Sequence, residues 1–171
     1  LEEFTARPRM VKLGEKAHFE ATDLSSAEIR AIALIRARFD DPVTGEWFEG
    51  DSLTDEQEAQ AAPAIREFLG ESRYAQVERA GNADFRRLFD LGQEQELPRI
   101  AAVQAFEMRQ LTAQEVVRLR ADKSLSDAER QQQLALVQSQ AQEGVLKALG
   151  AAACAQYLNQ GGAWLTNVSG L

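Results

Sequence analysis

The sequence predicts an all-α chain, and three observations carry that expectation. Ala, Gln, Glu, Arg and Leu dominate, while aromatic residues make up 7% and proline occurs four times, a vocabulary that favours helices. Ser25-Ser-Ala-Glu28, Thr54-Asp-Glu-Gln57 and Ser126-Asp-Ala-Glu129 each place a hydroxyl three residues ahead of Glu or Gln. That is the capping-box spacing, in which two side chains satisfy the backbone N–H groups orphaned at a helix start. Leu134, Val137, Ala141, Val145 and Ala148 recur at three- and four-residue intervals, the apolar seam of an amphipathic helix. The expected architecture is a long antiparallel helical hairpin with two pseudo-repeated Leu-Gly helical units and an irregular N-terminal arm.

Residues 1–24 have no clean period and contain Pro8 and Gly14; they read as the arm, with a short strand at Met10–Leu13. The first helix begins at Ser25, with Ile29, Ile32, Ile35 and Phe39 as its apolar face. It should stop at Asp40-Asp41-Pro42, because proline disfavours helical geometry in the residue before it. Residues 41–52 are irregular. A second helix starts at Thr54, kinks or restarts at Pro63, which lacks an N–H, and ends at Leu69-Gly70, where glycine can adopt a left-handed cap. A short helix follows over Glu71–Ala80, then one capped by Asn82 and running to Gln95.

Pro98, suited to a first helical position, opens the longest stretch, which reaches Asp122. The turn Ala121–Ser126 joins it to the returning helix. Each helix holds about 24 residues and spans about 36 Å at the usual rise, so a short loop makes them an antiparallel hairpin.

The chain also echoes itself. Leu69-Gly70 with Ala75, Gln76 and Gly81 recurs as Leu149-Gly150 with Ala155, Gln156 and Gly161, at a constant offset of eighty residues. The echo extends over 54–91 and 126–168, with Phe85, Leu88 and Phe89 in one copy and Trp164, Leu165 and Val168 in the other. Repeats describe how a scaffold is built, and residues 25–171 are read as a single helical domain. Phe85, Phe89, Phe106 and Trp164 are expected in its core.

A net charge of −8 disfavours nucleic acid, whose phosphates call for clustered Lys and Arg, and no apolar run is long enough to insert in a membrane. The start at Leu1 rather than Met suggests that a leader or another N-terminal segment has been cut away, which leaves export open without making it visible. His18 is the sole histidine and Cys154 the sole cysteine. Triad and acid–base chemistry most often uses histidine with a partner nearby, and His18 stands in no motif. Cys154 has no basic neighbour to make it a thiolate and is expected small, buried and inert. One His, one Cys, Met10 and Met108 do not make a soft-metal site. The oxygens of Asp40, Asp41, Glu46, Glu49 and Asp51 could suit calcium only outside the EF-hand spacing. No catalytic residue, metal site or cofactor is therefore expected. The candidate partner-binding residues are Trp47 and Phe48 with Glu46 and Glu49, two aromatic rings on an acidic loop; the alternative is that both rings fill a gap in the helical body.

Leu53-Thr54-Asp-Glu-Gln57 matches the LTxxQ signature of the small periplasmic helical-hairpin proteins related to the Spy and CpxP chaperones and stress adaptors. Looser variants stand at Leu24-Ser-Ser-Ala-Glu28, Leu111-Thr-Ala-Gln-Glu115 and Leu125-Ser-Asp-Ala-Glu129. The Leu-Gly segments, with Asp84-Phe85 and the Ala-Asp-Lys-Ser-Leu-Ser turn, resemble uncharacterised exported all-helical bacterial proteins from Thr54 to the end. These resemblances imply a helical fold and a periplasmic or otherwise exported location. The expected function is a non-enzymatic helical binding or structural module of the bacterial cell envelope, and the alternative a Spy/CpxP-like periplasmic chaperone or stress adaptor. The partner is a protein or a second copy: the helix from Pro98 carries Ile100, Met108, Leu111 and Leu119 on one side and Val103, Phe106 and Val117 on another, so two layers should cover it.

Overall fold

The computed structural model describes residues 19–39 and 55–168. Among them are six α-helices, one 3₁₀ turn and no strand, so the protein is all-α. Two compact units make up the chain, Leu1–Gly81 and Asn82–Leu171. The strand expected at Met10–Leu13, the Thr54 cap and the segment 41–52 lie outside the described residues.

In the first unit, α1 (Ser26–Arg36), α2 (Asp55–Leu69) and α3 (Glu71–Gly81) follow one another. Ser25 caps α1 as expected: its hydroxyl accepts from the Glu28 N–H, and the Glu28 carboxylate accepts from the Ser25 N–H at 2.8 Å. Hydrogen bonds donated to it by the Ser25 hydroxyl and the Ser25 N–H, aided by Arg73, hold the Glu28 carboxyl below its usual range. The helix stops at Arg36, short of Phe39, because the Arg38 and Phe39 N–H groups donate to Ile35 and Arg36. These i→i+3 closures wind the last turn too tightly to continue. Of the kink or restart expected at Pro63, the restart does not occur: α2 is one continuous helix with Pro63 inside it. The carbonyl that proline leaves unserved belongs to Ala59, on an exposed stretch where water can satisfy it.

Gly70 then turns the chain at φ +75°. Its N–H closes on Arg66 at 2.8 Å and its carbonyl accepts from Tyr74 at 3.0 Å, so α3 starts at once. The core of this unit is Phe19, Ile32, Ile35, Ala61, Ile65 and Tyr74. Arg36 at the end of α1 pairs with Glu58 near the start of α2 at 2.9 Å. α3 is fastened to the start of α1. Gln76 accepts from the Asp23 N–H at 2.9 Å, and Arg73 donates to the Asp23 carbonyl and the Glu28 carboxylate, each at 2.9 Å.

The second unit holds α4 (Ala83–Glu94), α5 (Arg99–Ala121), α6 (Asp127–Gln160) and a 3₁₀ turn over Gly162–Leu165. Asn82 caps α4 by accepting from the Asp84 and Phe85 N–H groups. Pro98 sits one position before the helix it opens, extended at φ −63°, ψ 142°. It is a cap position rather than the expected first helical residue, and its carbonyl accepts from Ala101 at 2.8 Å. The loop between α5 and α6 is tied by Arg130, whose guanidinium donates to the carbonyls of Leu119, Asp122 and Leu125; a cation at these last carbonyls also suits the helix dipole. Leu119 lies beside Arg130, and Met108 beside Gly144, so α5 and α6 run antiparallel along each other.

Their buried residues include Ala101, Ala105, Phe106, Val116 and Leu119 on α5 and Leu134, Ala141, Val145 and Leu149 on α6. Phe85 of α4 meets Phe106 edge-on, with ring centroids 5.4 Å apart, and Phe89 and Trp164 are buried too. On α5, Ile100, Leu111 and Val117 remain exposed. Within α6 the helix kinks at Gly150, which leaves helical geometry at φ 76°, ψ 169°.

That conformation is open essentially to glycine alone. Gly150→Ala should therefore destabilise the protein by about 1–3 kcal/mol. Gly92→Ala, in the interior of α4 where an added Cβ meets nothing within 4 Å, should leave stability unchanged or raise it by up to ~1 kcal/mol. Denaturant unfolding of the two variants beside the wild type measures both; equal losses would contradict the assignment of Gly150 as the conformationally demanding position.

Candidate functional site

Trp47, Phe48, Glu46 and Glu49, the residues singled out for partner binding, lie outside the described residues, as do His18 and the acids Asp40, Asp41 and Asp51. Cys154 is described and is half-buried rather than fully enclosed. Burial pushes its thiol up, away from the reactive thiolate. Among the described residues, no group of three or more His, Cys, Asp and Glu is placed to hold a metal ion. None of their helices is long and apolar enough to cross a membrane.

Two places gather side chains in a pattern worth chemical scrutiny. In the second unit, Asp84 in the first turn of α4 accepts from Arg87 at 3.0 Å and from Arg109 of α5 at 2.7 Å. Beside them the buried Tyr157 hydroxyl accepts from the Trp164 indole N–H at 3.0 Å. Burial pushes the Tyr157 phenol up, partly opposed by that hydrogen bond. A phenol driven away from ionisation is a poor base, and its surroundings leave it little else to do. Gly162 is packed so closely on it that a Cβ would stand 2.8 Å from the ring and 3.0 Å from the Tyr157 carbonyl oxygen. Gln142 and Gln138 donate to the Leu165 and Thr166 carbonyls at 2.7 and 2.9 Å. This cluster fastens the closing turn to α6.

The second place is a groove in the first unit, about 500 Å³ in volume, between α1 and α2. Ala31, Leu34, Ile35 and Arg38 supply one side, at the spacing of a single helical stripe; Ala64, Glu67 and Phe68 supply the other. Ile35 belongs to the core, and the two alanines keep the bottom of the groove free of bulk. Leu34 is 65% exposed and Phe68 50% exposed. Single exposed hydrophobics are ordinary on a protein surface, but two large ones lining the same groove form a patch. A neighbouring cleft of about 570 Å³ beside α2 has walls of Ala59, Ala62, Pro63, Gly70 and three charged residues, Arg66, Glu67 and Glu71. It offers no large apolar side chain to anchor a ligand.

Neither Leu34 nor Phe68 stood out in the sequence. Leu34 falls off the Ile29–Ile32–Ile35 face, and Phe68 follows Ile65 by three residues, as a core residue would. If these two serve a surface rather than the core, Leu34→Ser and Phe68→Ser should each change the unfolding free energy by less than about 1 kcal/mol. Ile32→Ala and Ile65→Ala, at positions 0% and 2% exposed, should each cost about 2–5 kcal/mol. Chemical denaturation of the four variants reads the contrast, and core-sized losses at Leu34 and Phe68 would remove the surface role.

Compared with known proteins, the chain matches no family model, no curated protein and no solved structure.

Proposed function

We propose that this protein is a non-enzymatic helical module that binds protein, and that the α1–α2 groove is the surface it uses. One observation carries the reading: Leu34 and Phe68, both large and both mostly or half in water, line one groove on a folded helical body. An aromatic side chain beside a depression of this size is what a protein interface concentrates its binding energy on. Burying the exposed parts of both would contribute on the order of 1–3 kcal/mol, stabilisation that the unaccompanied chain forgoes. The Tyr157 and Asp84 clusters, by contrast, are occupied in holding the second unit together. Location in a bacterial cell envelope, taken from the resemblance at Leu53–Gln57 and in the Leu-Gly segments, forms part of the proposal.

A second reading, a chaperone of the periplasmic kind, is favoured by the further exposed hydrophobics on the second unit: Ile100, Leu111, Val117, Leu136, Leu146 and Leu158. A photoreactive phenylalanine analogue placed at position 68 separates the two. A docking module should give one dominant protein adduct, lost when Leu34→Ser is added. Labelling of many unrelated proteins that persists with Leu34→Ser would favour the chaperone, and no adduct at all would end the docking reading.

A further inference from the structure

We propose that the occupant of the α1–α2 groove is a second copy of this chain, related by a two-fold axis. Phe68 of each copy would enter the other's groove, and Arg38 of each would face the partner's Glu67. This rests on the groove being a docking surface and names what docks there.

The argument comes from charge. Around α1–α3 three guanidinium groups are engaged: Arg36 with Glu58, Arg66 with Glu71 and Glu78, and Arg73 with Glu28. Arg38 and Glu67 line the groove together, both are exposed, and neither forms an ion pair with a described residue. A two-fold interface must be complementary to itself, so that residue i meets j while j meets i. One cation and one anion, neither paired with a described residue, beside an apolar strip meet that requirement. A strongly acidic or basic partner would instead be served by one sign. The chain as a whole carries −8, and two copies repel at long range; yet this patch is locally neutral, and salt screens the remaining repulsion beyond about 8–10 Å. With seven described residues lining the groove, against roughly 20–30 a side in a standard interface, the dimer should be weak.

Sedimentation equilibrium of the full chain from about 10 μM to about 1 mM, the range that brackets such an interface, tests this. The wild type should move from monomer toward dimer mass. Arg38→Glu alone and Glu67→Arg alone should each weaken association at least about tenfold, since each sets like charges opposite one another twice. Mixing those two single variants in equal amounts should restore the dimer to within about threefold, because both crossed contacts then pair opposite charges. Phe68→Ser, which leaves the charges in place, should also dissociate it.

A wild type that stays monomeric at the highest concentration overturns the proposal, and so does a mixture no better than its components. A monomer that still gives a single foreign adduct at position 68 removes the self-pairing and leaves the docking surface standing. A monomer with no adduct removes both.

Discussion

The first unit depends on a single backbone conformation, the positive φ of Gly70. With the chain turned there at +75°, α3 begins within one residue of the end of α2, and Tyr74 arrives in the core beside Ile32 and Ile65. A residue with a Cβ meets a steric penalty in that region of about 1–2 kcal/mol. The same constraint operates in the second unit. Gly150 at φ 76° kinks α6, and the residues after it supply the buried Ala153, Tyr157 and Trp164.

The direction of the Gly70 turn also decides what stays uncovered. Arg73 and Gln76 bind α3 to Asp23 and Glu28, at the start of α1, and Arg66 lies over the Tyr74 ring, 4.6 Å from its centroid. These contacts use the edge of α1 and α2 that faces α3. The groove of Ala31, Leu34 and Arg38, with Ala64, Glu67 and Phe68, has no described residue of α3 in its lining. An apolar groove is thus left between α1 and α2, with Arg38 and Glu67 unpaired among the described residues. The surface we assign to function lies on helices that also build the core of the unit.

Much of this scaffold could be read from residue types, because the signals were local. The Ser25 and Ser126 capping boxes, the Asn82 cap and the Leu-Gly corners each state their geometry within a few residues. Features that depend on closure or on distant partners could not be read in this way. The end of α1 at Arg36 is set by i→i+3 hydrogen bonds, and the placement of Pro98 outside α5 by one residue's ψ. Arg130 reaches back across the turn to Leu119, which nothing in its neighbours announces. The grouping of contacts into two compact units, Leu1–Gly81 and Asn82–Leu171, was likewise not stated by any local motif. The candidate site was the least legible part. Trp47 and Phe48 drew attention by being aromatic in an irregular, acidic stretch, while Leu34 and Phe68 sat inside regular helical patterns that gave no sign of which side would face water.

The central claim is that Leu34 and Phe68 stand open to solvent in the monomer, available to whatever docks. Paramagnetic relaxation by a soluble gadolinium chelate, followed by NMR on dilute protein, tests this at the atoms concerned. Leu111, 60% exposed, and Leu149, 2% exposed, provide the two references. The account predicts that the Leu34 methyl groups and the Phe68 ring relax as strongly as Leu111. Relaxation as weak as that of Leu149 in a monomeric sample would mean that the chain covers its own groove, and would contradict the account.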